Sequence, residues 1–315
     1  MKFSIAIPAF KLIYLKECID SVLSQTILDF ELIIVNDASP ENIGSVIELY
    51  NSSQIRYYKN EKNFGSVNVV DNWNKCLSYA TGEYFILMGD DDKMSPNYLQ
   101  EFSFLIDKFP SCDIYHCRTV IINERSIPIT LSEPRPEFES VYDSILQRMK
   151  GNRLFFISDY VFRTETLKNN GGFFKLPLAW ASDDITSYIA SKKNGIAHTN
   201  VPVFFYRQHA QTISNTGNIY NKMEAILNEE KWLNSFVEKN TEDFTDNLLK
   251  GNIKHELKKF IQKKKIRTIY SANDSNIFSF LKWFLVKKRF NLSTQELLYA
   301  GLMKFKEKRK TRYEL

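Results

Sequence analysis

The stretch YFILMGDDD, residues 84–92, decides the fold of this chain, because a run of mostly apolar residues leads directly into three carboxylates. A buried strand that ends at a charge cluster delivers its carboxylates to the carboxyl edge of a sheet, where open α/β folds bind their ligands. Three adjacent anions repel one another, so a cation is the simplest group that could hold them together. Oxygen ligands at this density suit Mn²⁺ or Mg²⁺.

The alternative is a solvated acidic turn that caps the next helix. The dipeptide Ser95-Pro96 already predicts that cap and the first helical residue, since proline at that position loses no needed N–H. The three aspartates are therefore not needed to cap the next helix, and a ligand site is the better interpretation.

The residues before this stretch alternate between apolar strands and amphipathic helices. Strands are predicted at 2–8, 30–35 and 55–59, with helices between them. The second strand ends at Asp37, and Ser39-Pro40 is predicted to start the next helix, which leaves Asp37 without a local structural role. This alternation predicts an α/β fold with parallel βαβ units in a doubly wound sheet flanked by helices.

Composition and length place the chain among folded proteins with one large or two small domains. Its 315 residues are 43% hydrophobic and 14% aromatic, enough for a sizeable core. The N-terminus enters a strand without a signal-peptide layout, and no apolar run approaches the roughly 20 residues of a membrane span. The cysteines match no zinc or redox spacing: Cys18, Cys76, Cys112 and Cys117. We expect buried thiols and a cytoplasmic location, at the inner face of the plasma membrane if the protein contacts lipid.

Charge is distributed unevenly along the chain. Residues 250–315 contain 18 Lys and Arg against 5 Asp and Glu, whereas the whole chain has a net charge of only +5. An acidic body of residues 1–215 is therefore followed by a basic region, residues 216–315, which is predicted to be wholly helical.

Several acidic residues and one histidine have no evident structural function. They are Asp37, the triplet 90–92, the pair Asp183-Asp184 and His209. The chain has no Gly-x-Gly-x-x-Gly and no phosphate-cradling loop. A nucleotide held without such a loop needs another way to neutralise its diphosphate, and a metal bound by carboxylates provides one.

Five motifs in order resemble the GT-A glycosyltransferases of family 2. They are IAIPAF at 5–10, IVNDAS at 34–39, NFG at 63–65, Asn74 through GEY at 82–84, and GDDD at 89–92. The resemblance covers roughly residues 1–215. It implies an inverting enzyme that moves a sugar from a nucleoside-diphosphate sugar to a glycan or lipid-linked glycan of the bacterial cell surface. Among the donors, the resemblance favours a UDP-sugar.

The resemblance also implies roles for individual residues. Pro8 and Ala9 would line the base pocket, and Asp37 would accept a hydrogen bond from the base. Asp90 would meet the ribose or the sugar. The full nucleotide-sugar set is Pro8, Ala9, Asp37, Asn63, Gly65, Asn74, Asp90, Asp91 and Arg207. The Asp-x-Asp pattern assigns Asp92 to the metal.

Two later motifs complete the resemblance. One of Asp183 and Asp184 would be the general base, with Asp184 slightly favoured, and the other a helix cap. The segment YRQHAQTIS, residues 206–214, matches a family pattern except at Thr212. It implies a phosphate contact for Arg207 and a metal or diphosphate contact for His209.

The basic region leaves two interpretations open. Its aromatic-rich stretch FSFLKWF, residues 278–284, among lysines could lie in an anionic membrane interface, or its helices could form a bundle against the catalytic domain or a second subunit. No nucleic-acid motif is present. The competing functions are a non-catalytic nucleotide-sugar binding module and a sugar nucleotidyltransferase, which would need a glycine-rich N-terminal loop.

Overall fold

The computed structural model describes residues 1–210, 217–239, 241–272 and 277–313, without the side chains of residues 272, 277–280 and 304–313. The chain divides into two compact units, Met1–Thr216 and Gly217–Leu315.

The first unit is built on a ten-stranded mixed sheet. Its strands are β1 Phe3–Ala9, β2 Phe30–Asn36, β3 Ile55–Lys59, β4 Tyr84–Leu87, β5 Lys93–Met94, β6 Ile114–Ile122, β7 Pro128–Leu131, β8 Phe138–Glu139, β9 Tyr160–Arg163 and β10 Ile196–Arg207. The main path runs β3-β2-β1-β4-β9-β6-β10-β5, with β7 paired to β6 and β8 to β10. The first four strands are parallel, as predicted, because each is followed by a crossover. Strand β9 runs antiparallel to both β4 and β6 and makes the sheet mixed.

Helices cover the sheet. They are α1 Leu15–Leu23, α2 Ile43–Ile47, α3 Val69–Tyr79, α4 Tyr98–Lys108, α5 Val141–Lys150, α6 Thr164–Asn169 and α7 Ser182–Ser191. Strands β1, β2 and β4 are almost entirely buried, which explains why their sequences lack polar alternation. The four cysteines are buried and free, so the expectation of ordinary buried thiols is confirmed.

Two local predictions are wrong. Helix α2 begins at Ile43 rather than at Pro40, although Ser39 Oγ accepts from the Glu41 N–H at 3.1 Å, as a capping side chain would. Helix α4 begins at Tyr98 after Asn97, and the Ser95 hydroxyl donates to the Asn97 side chain at 2.8 Å. Residues 128–131, for which no strand was predicted, form the edge strand β7.

The second unit is helical, as predicted from the sequence. Its helices are α8 Ile219–Glu238, α9 Phe244–Ala272, α10 Ile277–Val286 and α11 Thr294–Tyr313. Apolar residues of all four helices are buried, among them Met223, Leu257, Trp283 and Leu297. None of the described helices combines the length and apolar character needed to cross a bilayer.

Candidate active site

The carboxyl ends of β1, β2 and β4 lie side by side and bring the predicted acidic residues to one edge of the sheet. The Asp37 N–H donates to the carbonyl of Ala9 at 3.0 Å, which joins the ends of β2 and β1. Asp90 Oδ2 accepts from the N–H groups of Phe10 at 2.7 Å and Lys11 at 2.9 Å. The loop after β1 is therefore fixed by the acidic triplet that follows β4.

The end of β10 reaches the same triplet. Asp92 Oδ1 accepts from the backbone N–H of Arg207 at 2.8 Å, and Asp91 Oδ2 lies 2.7 Å from His209 Nε2. Residues more than a hundred positions apart thus form one cluster. Residues 211–216 lie outside the described residues, and with them the Thr212–Ser214 part of the motif.

Electrostatics in the triplet favour a cation. Burial and the charge of Asp91 raise the pKa of Asp90 to about 6. Burial and the same neighbour raise the pKa of Asp92 well above its usual value. Both pKa shifts mean that the protein alone does not offset the cost of burying the charged Asp90 and Asp92 carboxylates beside Asp91.

Gly89 has no side chain, and the Asp91 and Asp92 carboxylates occupy the space that a side chain there would fill. A Cβ at this position would lie 2.7 Å from Asp92 Oδ2 and 3.1 Å from Asp91 Oδ1. No group of three or more His, Cys, Asp or Glu among the described residues is arranged as a ready metal site. The donors themselves, carboxylate oxygens with one imidazole beside them, fit Mn²⁺ or Mg²⁺ by their chemistry.

Arg207 lies behind the triplet, and its contacts argue against the predicted phosphate contact. The side chain is fully buried. Its guanidinium donates to the carbonyls of Asp91 and Asn123, to Ser126 Oγ, and to Glu17 Oε2 at 2.6 Å. The same group stacks over Tyr14 with a centroid distance of 4.2 Å. Arg207 therefore holds the loops around the triplet together.

Asp37 has structural partners that the sequence did not reveal. Its Oδ1 accepts from Asn60 Nδ2 at 2.9 Å and from the N–H of Phe64 at 3.1 Å. The next residue, Ala38, has a φ of 48°, a strained value for a residue with a Cβ. A carboxylate can accept about four hydrogen bonds, so Asp37 retains capacity for a ligand.

The predicted asparagines serve local structure. The Asn63 side chain accepts from the N–H of Gly65, whose φ of 72° suits glycine. Asn74 accepts from the N–H of Phe173 at 2.7 Å and donates to its carbonyl at 3.2 Å. These two bonds use the Asn74 amide to fix the turn at Gly172, and this geometry does not favour a nucleoside contact.

The acidic pair at the head of α7 is divided between two environments. Asp184 is 1% exposed, and its Oδ2 accepts from Arg148 Nε and Nη2 at 3.2 Å each. Asp183 Oδ1 accepts from the N–H of Asp184 at 2.9 Å. Asp183 is less buried than Asp184. The structure thus places Asp184, the slightly favoured base, in an ion pair with Arg148, whose side chain is 26% exposed.

Tyr206 connects this pair to the triplet. Burial and the charges of Asp92, Asp91 and Asp183 raise its pKa to about 12, so both acidic runs act on one phenol. The backbone before α7 is strained, with positive φ at Leu178, Ala179 and Ala181. Non-glycine residues rarely adopt such values, which occur preferentially at functional sites.

Sequence reasoning missed three residues that build the site. Ser158 Oγ accepts from the N–H of Gly89 at 3.0 Å and supports the triplet from behind. Glu17 and Tyr14, at the start of α1, hold the Arg207 guanidinium. All three act over long sequence separations, and no local pattern could have identified them.

A family comparison fits this geometry. The model of "Glycosyl transferase family 2" matches residues 4–163, half of the chain. The chain belongs to glycosyl transferase family 2. Among curated relatives, a chondroitin synthase of Pasteurella multocida is 34% identical over 113 residues, which are 35% of this chain and 11% of that protein.

Solved structures show the same GT-A fold, a mixed sheet flanked by helices. S. aureus TarS 1-349, in complex with UDP-GlcNAc, has a TM-score of 0.66 and 18% identity over 86% of this chain and 80% of its own. A mannosyltransferase from Pyrobaculum calidifontis, in complex with GDP-Man and Mn²⁺, has a TM-score of 0.55 and 13% identity over 96% and 87%. The predicted fold class is confirmed.

The sequence relatives are matched over limited parts of their length. This chain covers 37% of a glycosyltransferase of Rickettsia typhi and 11% of the Pasteurella synthase. These comparisons establish the family of the chain, while its donor, acceptor and activity are matters of proposal.

Proposed function

We propose that this chain is a metal-dependent inverting glycosyltransferase that moves a sugar from a nucleoside-diphosphate sugar, preferentially a UDP-sugar, to a hydroxyl of a glycan or lipid-linked glycan. The observation that carries the proposal is the meeting of the 90–92 triplet with the loop after β1 and the end of β10, beside the joined ends of β1 and β2. Family membership supports the reaction class.

The nucleoside would bind at the ends of β1 and β2. Pro8 and Ala9 form the last residues of β1, and Asp37 follows β2 directly. Asp37 would accept a hydrogen bond from the N–H of a uracil ring, and this is the reason for proposing a uridine nucleotide in the donor. Gly65, in its left-handed conformation, lets the backbone of the 63–65 loop approach this pocket closely.

The diphosphate would lie against the triplet. Asp92, with Asp91 and His209 beside it, would hold Mn²⁺ or Mg²⁺, and Asp90 would meet the ribose or sugar while fixing residues 10 and 11. A divalent cation there offsets the charge on the departing diphosphate. The raised pKa of Asp90 and the space at Gly89 support this assignment.

Asp183 is proposed as the general base in preference to Asp184. The Asp184 carboxylate is buried and pairs with Arg148, and protonating it would remove the partner of a largely covered guanidinium. Asp183 would take the proton of the acceptor hydroxyl while the hydroxyl oxygen bonds the anomeric carbon. The carbon–oxygen bond to the diphosphate breaks on the opposite face, and the diphosphate leaves with the electron pair, so the anomeric centre inverts.

The acceptor class is proposed from the relatives. One of them is named as a chondroitin synthase and another as a hyaluronan synthase, both of Pasteurella multocida. A glycan or lipid-linked glycan of the cell surface is the acceptor most consistent with that likeness.

The test is release of a nucleoside diphosphate. The full chain would be incubated with UDP-, GDP- and dTDP-sugars, with Mn²⁺, Mg²⁺ or chelator, and both product release and thermal stabilisation recorded. We expect one donor to stabilise the chain only with metal, and Asp92→Ala to abolish that effect.

Three outcomes would contradict parts of the proposal. Donor stabilisation with no turnover on any glycan acceptor would favour the non-catalytic binding module. Donor stabilisation that is equal with metal and with chelator would exclude the metal role. Release of pyrophosphate from a sugar phosphate and a nucleoside triphosphate would indicate a nucleotidyltransferase.

A further inference from the structure

The second unit exposes apolar side chains that its own packing does not use. On helix α10, Trp283 is 2% exposed and packs against Tyr220 and Phe290. On the opposite face, Leu281 is 50% exposed and Leu285, one turn later, 85% exposed. Residues four apart lie above one another on a helix, so the two leucines form one outward-facing apolar stripe.

Helix α11, which contacts α10, repeats this arrangement. Leu297 and Ala300 are fully buried, whereas Leu298 and Leu302 are 54% and 60% exposed. Four leucines on two contacting helices therefore face outward: Leu281, Leu285, Leu298 and Leu302. We call these four residues the leucine face.

Basic residues surround the leucine face. Between positions 277 and 313 the sequence holds ten Lys and Arg against two Asp and Glu. Lys282 and Lys288 are exposed on α10 and just after it, and among the described residues neither forms an ion pair. These charges remain available to an external anionic surface.

We propose that the leucine face docks the protein on an anionic lipid bilayer. Helices with an apolar face and a lysine-rich polar face lie in the interface plane, where their leucines enter the acyl boundary and their lysines meet lipid phosphates. A second copy of this chain is a poorer partner, because apposing two such faces would also appose two strongly basic surfaces. This inference goes beyond the proposed function and does not depend on it.

The experiment is sedimentation of the full chain with vesicles. Vesicles of phosphatidylcholine with 30% phosphatidylglycerol would be compared with pure phosphatidylcholine at two salt concentrations. We expect at least tenfold stronger partition to the anionic vesicles, and weaker partition at high salt because the charges are exposed.

Matched variants distinguish vesicle binding through the leucine face from non-specific vesicle binding. Leu281→Ser/Leu285→Ser should lower partition at least tenfold, and Lys282→Gln/Lys288→Gln should lower it severalfold. Leu49→Ser, at a 65% exposed leucine of the first unit, should leave it unchanged. All three sites are exposed, so folding should survive, which thermal unfolding would verify.

Three results would overturn the proposal. They are equal partition to neutral and anionic vesicles, no partition by the intact chain, and retained partition by Leu281→Ser/Leu285→Ser. Analytical ultracentrifugation would reveal the remaining alternative: a dimer that Leu281→Ser/Leu285→Ser dissociates, without vesicle binding, would assign the face to a second copy. Nucleoside-diphosphate release in solution is measured separately, so failure here is distinguishable from failure of the proposed function.

Discussion

Two runs of adjacent aspartates in the first unit have opposite surroundings. The 90–92 triplet is held by the backbone N–H groups of Phe10, Lys11 and Arg207 and by the imidazole of His209. In the pair at α7, the guanidinium of Arg148 contacts Asp184 directly. The triplet therefore keeps an excess of negative charge. In the pair at α7, the guanidinium of Arg148 offsets the charge of Asp184.

This difference teaches that the group opposite a carboxylate decides its chemistry. N–H dipoles position the triplet but cannot cancel its charge, as the raised pKa values of Asp90 and Asp92 indicate. Arg148 pairs directly with Asp184, and for this reason we propose Asp183 as the member of the pair that takes the proton. The predictions below test this division of roles.

The largest expected effect separates the two members of the pair. Asp183→Asn should lower turnover by about 10²–10⁴-fold, because a general base contributes that much, while donor binding stays close to that of the unchanged chain. Turnover and donor-induced thermal stabilisation would be measured on the same preparation.

Asp184→Asn is the matched control. It should reduce stability by about 3 kcal/mol in urea unfolding, since Arg148 loses its buried partner, with a smaller loss of turnover in the folded fraction. If Asp184→Asn abolished turnover with full stability while Asp183→Asn remained active, the assignments would be reversed.

The next effect concerns the support behind the triplet. Arg207→Lys keeps the charge but cannot donate to four acceptors at once, so buried carbonyls of residues 91 and 123 lose partners. We expect a loss of about 2–3 kcal/mol in the free energy of unfolding. Arg125→Lys, an exposed arginine in the adjacent loop, should change it by less than about 0.5 kcal/mol.

Arg207→Lys also tests whether this arginine contacts phosphate. A variant that remains as stable as the unchanged chain but binds donor far more weakly would restore the phosphate contact that the sequence motif implied.

Much of the fold was accessible from sequence because its signals are local. The unbroken apolar runs of β1, β2 and β4 identified buried parallel strands, and their carboxyl ends located Asp37 and the triplet. Strand β9 escaped detection, since four residues pairing antiparallel with β4 and β6 give no periodicity of their own.

The roles within the site were less accessible, because partners distant in sequence determine them. Asn74 is committed to Phe173, which lies 99 positions away, and Arg207 to Glu17, 190 positions away. The motifs singled out these residues, but only the folded contacts distinguish a supporting side chain from one that faces a ligand.

A smaller effect is expected from filling the space beside the triplet. Gly89→Ala would place a Cβ 2.7 Å from Asp92 Oδ2, so the carboxylate must move by several tenths of an ångström. We expect metal-dependent donor affinity to fall about tenfold, equivalent to about 1.4 kcal/mol, in a titration with Mn²⁺ present. Gly251→Ala, at an exposed position of α9 with open space around it and no positive φ, controls for the loss of a glycine. Unchanged affinity in Gly89→Ala would show that Asp92 does not need its present position.

The most gradual effect is acid destabilisation from a third polar region, in which the buried His198 lies beside a carboxylate that also pairs with Arg153. Burial lowers the pKa of His198 to about 4, and its Nε2 lies 3.2 Å from Glu139 Oε1. Burial opposes the Glu139 charge, but His198 and Arg153 outweigh it and lower the pKa of Glu139 to about 2.

Both shifts have the same sign for stability. The unfolded chain protonates His198 near pH 6.5 and Glu139 near pH 4.5, whereas the folded chain holds both unprotonated until about pH 4 and pH 2. Acidification therefore favours the unfolded state, first between pH 6.5 and 4 and then between pH 4.5 and 2, by up to about 1.4 kcal/mol per pH unit for each group. Urea unfolding at pH 7, 6 and 5 should show the first loss, and His198→Gln should flatten it. If the free energy of unfolding of His198→Gln fell with pH as steeply as that of the unchanged chain, the loss would be assigned to other groups. A carboxylate beside a buried neutral histidine would then lose little more stability in acid than one beside an arginine.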